Sequence, residues 1–314
     1  MSNQGYDIIG DIHGYAEVLR RLLIKMEYSE VDGVFRHANR NAIFVGDFVD
    51  RGPEQREVLR IARTMCEAES ASAVLGNHEF NAIGWSTPDG KGGFLRAHSK
   101  ANEHQHAEFL RQLVEGSQAY LEAIDWFRGL PVWLDFPDFR VVHACWHEPS
   151  SVVLRPCLDN HNCFTKEGFR EANQRGSSLY AAAEILLKGP EERLPPGMSF
   201  FDKDGKEREE VRIRWWDANA TTFRKAAIGM DDRLAELPDV QLPREFRYFG
   251  SLPVLFGHYW LNGEPAITAS NAACLDFSVA KQGYLMAYRW SGERDLLASH
   301  LVHVPAEELG SLAV

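Results

Sequence analysis

Three short apolar runs, each ending in glycine followed by an aspartate or asparagine, constrain this chain more than any other feature. YDII leads into Gly10-Asp11-Ile12-His13-Gly14, AIFV into Gly46-Asp47-Phe48-Val49-Asp50-Arg51-Gly52, and SAVL into Gly76-Asn77-His78-Glu79. The runs have the length and composition of buried strands. The first interval holds YAEVLRRLLIKME, with Val18, Leu19, Leu22, Leu23 and Met26 on one helical stripe. The second holds PEQREVLRIARTMCEA, where Pro53 suits the first turn of a helix. Such alternation is the pattern of a βαβ region, and sheets with parallel strands bind ligands at the loops after the strands' carboxyl ends. All three polar clusters occupy those loops.

The rest of the chain adds strands. FRVVHACW (139–146) is a further candidate, and VLFGHYW, AACLDFSV, GYLMAYRW and LLASHLVHV follow as strands with turns between them, expected as a β-meander. Together these predict an α/β fold: a two-sheet β-sandwich flanked by helices. Between about 150 and 250 the texture changes. KEGFREANQ and SLYAAAEILL are helix candidates, RLPPG is a proline cluster, and FDKDGKERE has hairpin character. That stretch is expected to be a largely helical insertion covering the active-site edge of a single domain spanning 1–314.

With 314 residues, 45% of them hydrophobic, the chain can bury a core of that size. A formal charge of −11 leaves the general surface repelling phosphate, so neither nucleic acid nor an anionic membrane is an expected partner. A phosphorylated substrate would need local positive charge, which bound metal supplies. Apolar runs fall short of a membrane span, and the leading MSNQGYDIIGD has no basic-then-apolar stretch. Five cysteines (66, 145, 157, 163, 274) lack framework spacing, so reduced thiols and a cytoplasmic location are expected.

Asp11 and His13, two apart on an extended chain, point the same way and can share a partner. His143 and His258 each emerge from an apolar run. A lone histidine at a strand end is more often a hydrogen-bonded core residue than a ligand. The joint occurrence of GDIHG, GDFVDRG and GNHE in this order is not something chance supplies. Carboxylate, imidazole and one amide oxygen, without thiolate, make a donor set for Mn²⁺, Fe or Zn²⁺.

These motifs resemble those of the phosphoprotein phosphatase branch of the calcineurin-like metallophosphoesterases, whose GDxHG, GDxVDRG and GNHE they match almost letter for letter over residues 5–80. The likeness reaches His143 and His258 through shorter flanks. It implies a sandwich of two sheets and two divalent ions, Mn²⁺ expected first. One ion would be held by Asp11, His13 and Asp47, the other by Asp47, Asn77, His143 and His258, with Asp47 bridging. Two such ions about 3.5–4 Å apart clamp a phosphoryl group and lower the pKa of a shared water toward neutrality. On the same likeness Arg51 presents a planar fork to the phosphate oxygens. His78 would protonate the leaving oxygen, and Asp50 would hold and charge-stabilise His78.

The segments FGHYW, AACLDFS and YLMAYRW are most similar to the bacterial symmetric diadenosine tetraphosphatases, which carry GHW and then LDTG; here LDTG is replaced by Leu275-Asp276-Phe277-Ser278. Phosphatases acting on proteins follow the first late histidine with Gly-Gly, where this chain has Ala144-Cys145. Cys145 and His147 share a strand face with His143 and are expected as packing neighbours. The family often adds a second phosphate-binding arginine between the late histidines. Of Arg212, Arg214 and Arg224, Arg214 is expected in that role because it adjoins Trp215 and Trp216. His98, His104 and His106, flanked by Lys and Glu, are expected on a solvated helix face. Cys157 to Cys163 lacks the four spaced ligands of a zinc site.

A two-metal hydrolase of phosphate monoesters is therefore the function expected, acting on a phosphorylated small molecule, a nucleotide or a phosphoprotein. The alternative is a dinucleoside polyphosphate hydrolase, with Trp215, Trp216 and Trp260 as candidate base-stacking residues. A non-catalytic metal-binding module would be expected to lack a ligand or the acid, and none is missing.

Overall fold

The computed structural model describes residues 5–201, 207–229 and 231–306. β1 (Gly5–Ile9), α1 (Ala16–Lys25), β2 (Arg40–Phe44), α2 (Gln55–Glu67) and β3 (Ala71–Ala73) alternate as the apolar periods demand, and β1, β2 and β3 pair in parallel. α3 (Asn77–Ser86) begins inside the third polar cluster, followed by α4 (Lys100–Gln112) and α5 (Gln118–Arg128). After β4 (Trp133–Asp135) and β5 (Arg140–Val142) come three helices, α6 (Glu148–Leu154), α7 (Lys166–Ala172) and α8 (Ser178–Lys188). β6 (Glu191–Arg193), β7 (Glu210–Ile213) and β8 (Ala227–Ile228) form a small antiparallel sheet. The chain then adds β9 (Val254–Phe256), β10 (Ala272–Cys274), β11 (Asp276–Phe277), β12 (Tyr284–Trp290) and β13 (Leu301–Pro305).

Two larger sheets stack. One runs β11-β12-β1-β2-β3, with β13 also pairing with β12, and the other runs β10-β9-β5-β4. Strand alternation decides which layer each residue enters. Ile8 and Ile43, with Met286 and Tyr288 of the same sheet, meet Val141 and Leu255 of the other. Ile9, Ala42 and Phe44 turn the opposite way and are covered by Val18, Leu19 and Leu22 of α1 and by Val58, Ile61 and Ala62 of α2. Each fully buried branched or aromatic side chain contributes about 1.5–3 kcal/mol, so these two layers hold the sheets in place. The architecture is the helix-flanked two-sheet sandwich.

Two expectations change. The C-terminal strands do not form one meander: β9 and β10 are parallel neighbours in the second sheet, whereas β11, β12 and β13 are antiparallel in the first. Only Leu275 separates β10 from β11, so one extended segment passes from sheet to sheet. The helical expectation for 150–250 holds to Lys188; beyond it short strands alternate with a helical turn at Phe223–Ala226 and another at Asp231–Glu236. That later part packs its own apolar cluster of Val211, Ile213, Phe223, Ala227 and Leu237. Phe200–Phe201 and Glu207–Arg208 pair antiparallel as the flanks of the expected hairpin, whose tip, 202–206, lies outside the described residues. Among the described residues no helix is long and apolar enough to cross a membrane.

Candidate metal centre

The loop after β2 is built from backbone that L-residues seldom adopt. Asp47, Asp50 and Arg51 have φ of 52°, 69° and 73°, and His13 and His258 have 48° and 76°. Each such residue costs on the order of 1–3 kcal/mol and persists only where its surroundings over-determine it. In the loop from Asp47 to Gly52 two buried side chains do so. Glu79 accepts from the backbone N–H of Asp47 (2.8 Å), Phe48 (2.9 Å), Val49 (3.3 Å) and Gly76 (3.2 Å). Gln55 accepts from Asp50 N at 2.8 Å and donates to Gly52 O at 2.7 Å. Burial and the charge of Asp47 push the Glu79 carboxyl up to about 8. Glu79 thus caps α3 and fixes the neighbouring loop at once.

The donors converge on Asp47. His13 Nδ1 is tied to Val49 O at 3.0 Å, which turns Nε2 toward Asp47 Oδ2, 3.6 Å away. His143 Nδ1 is tied to Val45 O at 2.7 Å, leaving Nε2 3.4 Å from Asp47 Oδ1 and 3.0 Å from Asn77 Oδ1. His258 Nδ1 lies 2.8 Å from the same Asn77 oxygen, and its backbone N–H donates to Asp11 Oδ2 at 3.0 Å. Carbonyls behind His13 and His143 fix ring orientation as they do for metal-bound imidazoles. Two groups result, His13–Asp47–His78 and Asp47–His143–His258, each with ligand atoms within 4.8 Å of one another. Asp11, His13, Asp47, Asn77, His143 and His258 are all buried together. Close approach needs glycine at Gly257, where a Cβ would strike Asp11 Oδ1, and at Gly76, where it would strike Asp47.

Divalent cations suit this arrangement. Among the described residues, buried Asp11 Oδ1 and His13 Nε2 have no hydrogen-bond partner, a deficit of about 1–3 kcal/mol apiece unless something satisfies them. Burial, then Asp276, then Asp47 raise the Asp11 carboxyl well above its ordinary range. Burial and the neighbouring His78 depress the His13 imidazole to about 3, and burial with Arg212 depresses His258. Neutral imidazoles beside crowded carboxylates are the form a cation binds.

A family model for calcineurin-like phosphoesterases matches residues 6–189, more than half of the chain. The chain belongs to that family. The matched span contains every donor named above except His258. Over 313 residues, 95% of this chain and 98% of the other, the phosphoesterase is 24% identical to the symmetrical bis(5'-nucleosyl)-tetraphosphatase of Proteus mirabilis. It is 41% identical over 73 residues to the asymmetrical bis(5'-nucleosyl)-tetraphosphatase PrpE of Oceanobacillus iheyensis, a match that spans 23% of this chain and 29% of that protein. The crystal structure of a proposed diadenosine tetraphosphatase superposes with a TM-score of 0.51 at 17% identity, covering 98% of this chain and 95% of that one. A cold-active protein tyrosine phosphatase gives 0.50 at 17% identity, covering 96% and 78%. At such identities the structural likeness is one of fold.

Around the donors the phosphoesterase places two further sets of residues. His78 Nδ1 contacts Asp50 Oδ2, and His78 Nε2 lies 3.9 Å from Asp47 Oδ2. Asp50 Oδ1 is hydrogen-bonded to His106 Nδ1 at 2.7 Å. Burial opposes charge on Asp50, yet His106 and then His78 hold its carboxyl well below the ordinary range. Burial likewise opposes charge on His78, yet Asp47 and Asp50 raise its imidazole. The expectation of a solvated face holds for exposed His104 but not for His106, which is only 4% exposed. His106 and Phe109, three apart, share the buried face of α4, and the flanking charges mark its other side. His98 is exposed and precedes α4, with its ring stacked on Trp85 and Phe94.

The second set is cationic. The Arg51 guanidinium lies 3.5 Å from the Trp260 ring centroid, and Lys281 Nζ lies 4.1 Å from it. Beside them opens a cleft of about 750 Å³, whose lining includes Arg51, Arg212, Tyr259, Trp260 and Lys281. Arg214 is not among its lining residues. It follows the last residue of β7, and its backbone and guanidinium donate to Ala226 O (2.8 Å) and Ala227 O (3.0 Å). Arg212 lines the cleft, because β7 alternation buries Val211 and Ile213 and sends Arg212 to the opposite face. Arg224 is exposed and donates to Leu237 O at 3.0 Å. Trp215 and Trp216 pack in the core against Phe256, so of the three tryptophans only Trp260 reaches the cleft. β5 stops at Val142, and strand alternation therefore ends before Cys145 and His147. Cys145 is buried in the core, and His147 Nδ1 is hydrogen-bonded to Ser150 Oγ at 2.7 Å.

Proposed function

We propose that this phosphoesterase hydrolyses phosphate monoesters with poor leaving groups, such as the alkyl esters of phosphorylated hydroxyl side chains or small molecules. The observation that carries this is the His78–Asp50 pair beside Asp47. Cleaving an alkyl ester releases an alkoxide, which needs a proton at once, whereas an anhydride releases a phosphate oxygen that does not. Two divalent ions bound at the Asp47 groups would polarise the phosphoryl group and lower the pKa of a water. Asp11, His13 and Asp47 would hold one, and Asp47, Asn77, His143 and His258 the other. Mn²⁺ is the ion expected, with Fe and Zn²⁺ compatible with the same donors. Arg51 offers two parallel N–H groups to the phosphate oxygens. His78 gives its Nε2 proton to the leaving oxygen, while Asp50 keeps its Nδ1 side occupied. Arg212, facing the same cleft, binds a further oxygen of the substrate. Five thiols without disulfide partners support a cytoplasmic location.

Hydrolysis of a dinucleoside polyphosphate is the second reading, and the cleft favours it. Its volume, with Trp260 and Lys281 on the wall, exceeds what a phosphate monoester fills. Parallel assays of the Mn²⁺-loaded protein on a phosphoserine peptide, p-nitrophenyl phosphate and diadenosine tetraphosphate decide between them. Monoester hydrolysis requires the peptide to turn over with a kcat/KM above that of the dinucleotide, and the reverse order overturns the first reading.

A further inference from the structure

The Asp50 carboxylate has two oxygens and two imidazoles, and both oxygens are taken. Oδ2 meets His78 Nδ1 and Oδ1 meets His106 Nδ1 at 2.7 Å. Its backbone N–H is already held by Gln55, but that bond leaves the carboxylate free to rotate about its own axis. A carboxylate that bonds only one imidazole swings easily; one bonded on both sides has its plane fixed. His106 is itself braced. Its ring stacks on Phe109 at a centroid distance of 4.7 Å and lies 5.9 Å from Trp85, inside the layer between α3 and α4. Among the described residues its buried Nε2 has no hydrogen-bond partner, so the bond to Asp50 is the polar contact that gives this histidine a reason to be there rather than an apolar residue.

We propose that His106 is a positioning residue for the acid: by holding Asp50 Oδ1 it fixes Oδ2 on His78 Nδ1 and keeps His78 Nε2 aimed at the leaving oxygen. This rests on the assignment of His78 as the acid. The hydrogen bond and ring contacts of His106 run to Asp50, Phe109 and Trp85 and not to the donors around Asp47, so its loss should weaken proton delivery and leave metal binding and substrate binding as they are. Phe keeps the ring against Phe109 and removes the donor. Asn places an amide nitrogen near the position of Nδ1, whereas Gln places it near that of Nε2.

The test compares wild type, H106F, H106N, H106Q and H78N, all Mn²⁺-loaded, on a phosphoserine peptide and on p-nitrophenyl phosphate, with metal content and thermal unfolding measured alongside. H106F is expected to lose roughly ten-fold or more in kcat on the peptide, with KM and metal content unchanged, and less than about two-fold on the aryl ester. H106N is expected to restore most of that loss and H106Q little of it, which also serves if H106F does not fold. Equal activity of wild type and H106F on the peptide, equal losses on both substrates, or equal rescue by Asn and Gln overturns the proposal. H78N separates the two levels. A leaving-group-dependent loss in H78N without one in the His106 variants rejects only the role of His106, whereas a leaving-group-independent loss in H78N rejects the acid assignment beneath it.

Discussion

Asp47 joins both donor groups, since its Oδ2 faces His13 and His78 and its Oδ1 faces His143. D47N is therefore expected to lower bound metal toward zero, while H13A retains a larger share, as read by metal analysis after gel filtration. Similar metal content in the two variants would show that Asp47 is not shared. Arg212 and Arg214 offer a second test at this scale, because only the first lines the cleft. R212A should lose roughly ten- to a hundred-fold in kcat/KM, the range of a charge-assisted hydrogen bond of about 1.5–3 kcal/mol, mostly through KM. R214A should stay near wild type, and a greater loss in R214A would return the role to that arginine. The two are separated by two positions, and residue type alone gave no ground for choosing. They differ in that β7 ends between them.

At the scale of elements, the strands and helices of the first half follow from period alone, because each apolar run or stripe has one face to bury. The polar loops do not. Glu79, four N–H groups and the left-handed stretch of Asp47, Asp50 and Arg51 form one unit joining β2 to α3. E79Q swaps an acceptor oxygen for an NH₂ that faces backbone donors. It is expected to destabilise the metal-free protein by about 2–4 kcal/mol in urea unfolding, the scale of leaving a pair of buried amide donors unsatisfied. An unchanged midpoint would mean that the loop is held without Glu79. In α4, flanking charge does not make a solvated face. Charge next to a histidine in sequence says little about burial on a helix, where neighbours i+3 and i+4 share the face and i+1 does not. Phe109, not Glu103 or Lys100, was the informative neighbour of His106.

For the whole molecule, the unsatisfied Asp11 Oδ1 and His13 Nε2 and the crowded carboxylates mean that metal binding should be coupled to folding stability. Removal of divalent ions is expected to abolish turnover and lower the unfolding temperature, and Mn²⁺ should restore both. Free metal at a hundred times its dissociation constant stabilises by about 2.7 kcal/mol per site. A melting temperature indifferent to chelator would contradict a metal-filled centre. The sequence by itself determined the alternating strands and helices, the three strand-end loops and nearly all the donors, because these depend on local period and on residue types that few environments tolerate in such numbers. Tertiary structure decided what depends on contacts between segments far apart in the chain. It split β9–β10 from β11–β13 between two sheets, since both sets are equally apolar. It brought His258 across to Asn77, 181 positions away, and His106 across to Asp50, 56 positions away. It also placed Arg212, and not Arg214, on the wall of the cleft. Spacing along a chain fixes the direction of a side chain within its own element; only the packing of elements fixes what stands opposite it.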